Sequence, residues 1–384
     1  MNLTFKNIGN IPADNPLSTM GIGINGITLL KGDDLVAKTT VARAIFCTLN
    51  AFYNIDHTIE IAKLAKIKTK LRRVCLKDYR DETGESRHSR MAKKIYFEAD
   101  KNDPRPYIDQ LIRQEFPASE YLETAEGDYE KLVNTTVNDI TQTLHKALGD
   151  VMAPFVLKYF ENEFKGQIGP LHQDNPLTEV QVETFRATKF LIKNHKEVQL
   201  SRLFSMTART FYLDQPFLLD TAYDNSYSNI DELLDIRGVI LRQEHLQAFM
   251  HNPLLPSLDS KTQKVVERID LITQGTVSKE NKNYIFHEKG HEIPVRMVNV
   301  PASLKIFLMI RQLLVTGSLT EGGILIFDHL DGYLGAKYTK YFDALLVLLY
   351  QELGIKTLLL SHETTHLETL METEGIPYEI NLFT

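Results

Sequence analysis

"GDDLVAKTT", residues 32–40, decides how the chain is read. Gly32 is followed after five residues by Lys38, Thr39 and Thr40, the frame of a phosphate-binding loop, but Ala37 stands where a glycine usually precedes the lysine. Such a loop works because consecutive backbone N–H groups and a helix N-terminus converge on phosphate oxygens. Its lysine bridges the outer phosphates, and the next hydroxyl holds Mg2+. The flanks have the required order. "GITLL" (26–30) reads as a short buried strand, and "TTVARAIFCTLNAFYNI" (39–55) places Val41, Ala44, Ile45, Leu49 and Phe52 at helical spacing. An alanine forced into the left-handed region at position 37 is expected to cost on the order of 1 kcal/mol. Asp33 and Asp34 add negative charge beside any triphosphate. Taken alone, the loop reads equally as an ordinary turn before a helix.

Three later stretches change that balance. "ILIFDHLD" (324–331) is an apolar strand ending in Asp328, the way a carboxylate is delivered to Mg2+ or its water. The next position, where a glutamate usually orients the attacking water, is His329, with Asp331 two residues on. "TLLLSHE" (357–363) is a second apolar strand, placing His362 to contact a γ-phosphate. "NVPASLKIF" (299–307) precedes a helix, where Ser303 and backbone amides would reach a nucleotide held by a second subunit, although Pro301 removes one donor. For Asp328 the plain alternative is a cap on a strand end; for His362 it is a structural histidine.

At 384 residues there is room for one large domain or two of ordinary size. The formal charge of −7 gives no overall attraction to nucleic acid or an acidic membrane. Cys47 and Cys75 make neither a disulfide framework nor a zinc cluster, so a reduced, cytoplasmic setting is expected. No membrane span or secretory leader is read. "MNLTFKNIG" (1–9) alternates like a half-exposed strand. From 57 to 165 the chain reads as helical, with "KKIYFEA" (93–99) as its one clear strand. Residues 63–94 hold 12 Lys or Arg against 4 Asp or Glu, a local +8 that leaves −15 elsewhere. "VQVETFRATKFLIKNHKEVQL" (180–200) reads as a hairpin, and the stretch beyond residue 300 alternates buried strands with helices. That alternation argues for a parallel sheet covered on both faces. The expected architecture is α/β. Residues 1–56 with 200–384 form a head with a mainly parallel sheet and flanking antiparallel strands, and 57–199 form a mainly helical insertion with a strand hairpin near 178–200.

These pieces, in this order, resemble the ABC-type ATPases of the OLD and SMC-like group, more narrowly the AAA-family ATPases of bacterial phage-defence operons. "NGITLLKGDDLVAKTTVARAIFCTLNAFYNI" is similar to that family's phosphate-loop stretch, and "YLDQPFLLD" to a strand ending in a Ser/Thr-Pro step. "VNVPASLKIFLMIRQLL" resembles the signature segment, "ILIFDHLDGYLGAKY" the Asp-Glu-Pro-Glu box, and "LLLSHETTHLETL" the switch-histidine strand. The resemblance covers residues 1–56 and 205–384 and implies a P-loop NTPase fold. By the same resemblance Gly32, Ala37, Lys38, Thr39, Thr40 and Ser303 would bind ATP, and Thr39 with Asp328 would hold Mg2+. His362 would sense the γ-phosphate, and His329 with Asp331 would stand where water is activated. Gln167 and Gln215 are the candidates for the glutamine linking metal to insertion. The loop glycine, the signature Ser and Gly, the catalytic Glu and the box's Pro are all replaced.

Three functions follow. One is an ATP-binding switch with weak or absent hydrolysis, working as a homodimer or higher oligomer beside an effector such as a nuclease. Another is a pseudo-ATPase scaffold or regulatory subunit. In the third, the basic segment 63–94 contacts DNA, against the plainer reading of a solvated helix face.

Overall fold

The chain is described by a computed structural model over residues 1–15, 20–32, 35–74, 79–80, 82, 84–119, 128–170, 173–184, 187–220, 242–280, 283–361 and 364–383, with backbone alone at 35–36 and 242–245. Asp33, Asp34, Cys75 and His362 lie outside these residues. The chain divides into two compact units, Met1–Asn54 with Phe155–Thr384, and Ile55–Pro154.

The first unit opens with β1 (Asn2–Lys6), whose Leu3 and Phe5 are buried between half-buried neighbours, a period-two pattern. β1 pairs antiparallel with β2 (Ile22–Gly23). β3 (Ile27–Gly32) follows, buried over its first four residues, and only positions 33 and 34 separate it from α1 (Leu35–Ala51). Val41, Ala44, Ile45 and Leu49 are buried, but so is nearly every position from Ala37 to Ala51, with only Thr39 and Arg43 half-buried, so α1 is enclosed all round rather than on one face.

The second unit contains α2 (Ile55–Leu71), α3 (Arg87–Glu98), α4 (Arg105–Glu115) and α5 (Tyr129–His145) around a core that includes Ile67, Met91, Ile95, Ile112, Val133 and Ile140. The stretch 93–99, expected as a strand, falls largely in α3. His88, Met91, Ala92 and Ile95 recur every three or four residues on its buried face. That helical period outweighs the aromatic content of "KKIYFEA". α6 (Leu148–Phe164) carries Pro154 inside the helix, where the division between units falls.

Back in the first unit, β4 (Leu177–Glu183), β5 (Ala187–Lys193) and β6 (Glu197–Leu200) form a meander. β4 pairs antiparallel with the whole of β1, so these strands complete one sheet in the order β2-β1-β4-β5-β6. β7 (Thr210–Leu213) is buried at all four positions and ends before a 3-10 turn at Pro216–Leu219. α7 (Arg242–Met250) and α8 (Ser260–Thr273) precede a small antiparallel sheet of β8 (Gly275–Glu280), β9 (Asn283–Glu288) and β10 (Val295–Arg296). α9 (Ala302–Val315) is apolar nearly all round and stops near Gly317 at φ +65°, where the Ser318 N–H donates back to the Leu313 carbonyl at 3.0 Å. β11 (Ile324–Asp328), α10 (Ala336–Leu353), β12 (Lys356–Leu360), α11 (Thr365–Glu374) and β13 (Tyr378–Phe383) finish the unit.

The principal sheet is parallel throughout, in the order β13-β3-β12-β11-β7. Its inner strands β3, β11 and β12 are largely continuous apolar runs because helices cover them, whereas the outer strand β13 is exposed at Tyr378, Ile380 and Leu382. The mainly parallel sheet, antiparallel strands and helical segment expected from the sequence are what the chain forms. Among the described residues, no helix is long and apolar enough to cross a membrane. Since all five strands point one way, the residues following β3, β11 and β12 gather at one edge, where crevices of open α/β sheets form.

Candidate functional site

At that edge the two distant motifs meet. Thr39, in the first turns of α1, donates its hydroxyl to the Asp328 carboxylate, 3.1 Å from one oxygen and 3.2 Å from the other. The hydroxyl of Tyr212, from the neighbouring strand β7, also donates to Asp328 at 2.6 Å. Asp328 is 8% exposed, so these donors replace water that the buried carboxylate has lost. Tyr212 was not singled out in the sequence. A tyrosine in a fully buried strand needs a partner for its hydroxyl, but only the β7–β11 register shows which one.

Lys38 is fully buried, and its ammonium donates to the Gly32 carbonyl at 2.6 Å. Gly32 itself has φ +115°, and a Cβ there would sit 1.8 Å from the Phe383 carbonyl oxygen. The glycine is therefore required by close approach to β13, whatever the loop binds. Ala37 is not strained: it lies inside α1, outside the positive-φ positions of the chain. The expected penalty of about 1 kcal/mol does not arise, because the helix begins before residue 37. α1 begins two positions after the end of β3, so its N-terminus lies at this end of the sheet.

Thr40 is buried and shares a cavity of about 530 Å³ with Thr39, Gly9, Asn10, Arg43 and Glu163. Gln167 also lines it, while Gln215 precedes the turn after β7. Arg43 and Glu163 form an ion pair at 3.3 Å in the cavity wall. Neither was apparent in the sequence, because Glu163 comes from the far side of the helical segment.

His329 follows Asp328 in a left-handed conformation, φ +55°, and its N–H donates to the Leu360 carbonyl at 3.1 Å. This backbone turn brings its Nε2 to 3.7 Å from Asp328 Oδ1. Asp331 accepts a 2.8 Å hydrogen bond from Ser361, at the end of the adjacent strand β12. Ser303 lies half-buried in the first turn of α9, behind Pro301, and takes no part in the hydrogen bonds around Asp328. The structure thus brings together Lys38, Thr39, Asp328 and His329, places Thr40 in the adjoining cavity, and sets Asp331 against β12.

A hydroxyl and a carboxylate this close are hard oxygen donors suited to a small hard cation. Among the described residues no cluster of three or more His, Cys, Asp or Glu could hold a metal. A cation here would take its remaining ligands from water and phosphate, which is how Mg2+ is usually held. The residues therefore fit Mg2+ accompanied by a polyphosphate better than Mg2+ alone.

No family model matches the chain, and no curated protein matches it. Among solved structures it is similar to the "SMC head domain from Thermotoga maritima", at 10% sequence identity, over 96% of this chain and 90% of that one, with a TM-score of 0.38.

Proposed function

We propose that the chain is a nucleotide-binding head that holds Mg-ATP at the carboxyl edge of its parallel sheet and acts as a switch with weak or absent hydrolysis. The observation that carries this is the Thr39–Asp328 contact at 3.1 Å, which joins residues 289 positions apart beside Lys38. Lys38 would turn from the Gly32 carbonyl to the outer phosphates, and the first-turn amides of α1 would take the inner ones. Thr39 and Asp328 would hold Mg2+, with Tyr212 fixing the carboxylate's orientation. Bound there, the metal would neutralise phosphate charge. Thr40 and the adjoining cavity would receive the sugar and base side of the nucleotide.

The weakness assigned to hydrolysis rests on the residue after Asp328. His329 supplies an imidazole where a carboxylate would orient water, and Asp331 is engaged by Ser361. The motif resemblance further suggests a homodimer working with an effector in bacterial defence. A second reading, a scaffold that has lost nucleotide, is favoured by one feature: the Lys38 ammonium is already buried on a backbone carbonyl. DNA contact through 63–94 draws less support. Lys70 and Arg73 share Asp139 at 2.8 Å, Lys93 pairs with Glu85 at 2.8 Å, and Lys63 donates to the Leu144 carbonyl at 2.6 Å.

Titration calorimetry with ATP, with and without Mg2+, tests the reading. Binding that strengthens with Mg2+ and falls at least about tenfold, or 1.4 kcal/mol, in Lys38→Ala and Asp328→Asn is expected. No heat at millimolar ATP would leave the scaffold reading in its place.

A further inference from the structure

β13 is the outermost strand of the parallel sheet, paired on one side with β3. Parallel sheets are normally covered on both faces. Yet Tyr378, Ile380 and Leu382 on one face of β13 are 38%, 37% and 59% exposed. They stand in register with Ile27, Leu29 and Lys31 of β3, the first two fully buried. The apolar layer over β3 therefore runs out into solvent at β13. Nor does the strand carry the usual guards of a free edge. Residues 378–383 include no proline and no lysine, and pair with β3 without a bulge.

We infer that β13 is a docking strand for a second copy of this chain, joining two parallel sheets through an antiparallel β13–β13 pair about a two-fold axis. The sequence "YEINLF" is self-complementary in one register. With Ile380 opposite Ile380 of the second copy, Tyr378 meets Leu382, which closes the apolar stripe on both sides of the axis. On the opposite face Glu379 meets Asn381, an amide donor, so no like charges oppose. Asn381 already donates to Glu379 within the strand at 3.0 Å, which shows the two groups to be compatible hydrogen-bond partners. An isologous contact of this kind uses β13 on both copies and closes at two, leaving β7 as the outer strand at either end of the joined sheet. It is independent of nucleotide and uses none of the residues around Asp328.

The test uses the full chain without nucleotide in a Lys38→Ala background, so that no nucleotide-driven association contributes. Light scattering at tens of micromolar protein should give a dimer, and Ile380→Lys should raise its dissociation constant at least about tenfold. With Cys47 and Cys75 changed to Ala, Ile380→Cys should oxidise to a covalent dimer, because directly opposed Cβ atoms lie about 4.5–5.5 Å apart. Tyr378→Cys alone should not, whereas Tyr378→Cys with Leu382→Cys should. A chain that stays monomeric, an Ile380→Lys variant as dimeric as its parent, or cross-linking indifferent to register would overturn the pairing.

Discussion

Tyr212 and His251 show how much a single buried side chain can decide. Phenylalanine at 212 would keep the ring, which packs edge-on against Phe46 at 5.8 Å, and remove only the donor to Asp328. A hydrogen bond to a charged group contributes about 1.5–3 kcal/mol. Tyr212→Phe is therefore expected to lower stability by that amount in denaturant titration, with added Mg-ATP restoring part of it if the carboxylate then turns to metal. His251 is buried, lies against Tyr284 with ring centroids 4.7 Å apart and planes tilted by 56°, and has its Nδ1 2.9 Å from the Gln247 carbonyl. Burial lowers its pKa to about 4 from an ordinary 6.5. Between those values the unfolded chain takes up a proton that the folded one refuses. Its contribution is thus full above pH 6.5 and lost as pH falls toward 4, on the order of 3 kcal/mol in all. His251→Phe keeps a ring against Tyr284 and should flatten this part of the stability profile, whatever its effect at neutral pH. The composition of these two positions was plain in the sequence, but their burial and partners were not. Each depends on a neighbour far along the chain, Tyr284 for His251 and Asp328, 116 positions on, for Tyr212.

Elements obeyed their local patterns where the period was long and failed where it was short. α10 follows from three- and four-residue spacing of apolar side chains, α1 and α9 are enclosed almost all round, and β11 and β12 follow from unbroken apolar runs. The error at 93–99 came from a seven-residue window too short to show that its apolar positions continue the spacing set by His88 and Met91. The start of α1 is a subtler case. Familiar loop chemistry asks for glycine at 37, but the helix has begun by then, so alanine is the better residue. Ala37→Gly should therefore destabilise the protein by about 0.5–1 kcal/mol, read as a lower urea midpoint at unchanged slope. Relief of strain would have given the opposite sign. Gly32 belongs to the same scale, since the strand pairing with Phe383 demands it. A Gly32→Ala variant would consequently report on the sheet rather than on phosphate.

For the whole molecule, the alternation of strands and helices beyond residue 300 made a parallel sheet legible, together with a helical segment inserted after α1. The joining of β4 to β1 was not, because antiparallel register between strands whose paired residues lie 173 (Lys6 and Glu179) to 181 (Asn2 and Glu183) positions apart leaves no local trace. The second unit has its own apolar core, in which Ile67, Ile95, Ile112 and Ile140 are each fully buried. Residues 55–154 alone should accordingly give a helical circular-dichroism spectrum and a cooperative thermal transition. A gradual, featureless melt of that fragment would show that its core depends on the remainder of the chain.

The strand order has one more effect, on the timing of folding. β3 lies between β12 and β13, so the strand that leads into Lys38 finds both partners only among residues 356–383. On the ribosome, the nascent N-terminal segment must wait through synthesis of nearly all the intervening chain before that strand has a sheet to join. Contacts of such wide sequence separation fold slowly, and any nucleotide site built on them would form only once residues 356–383 had been made.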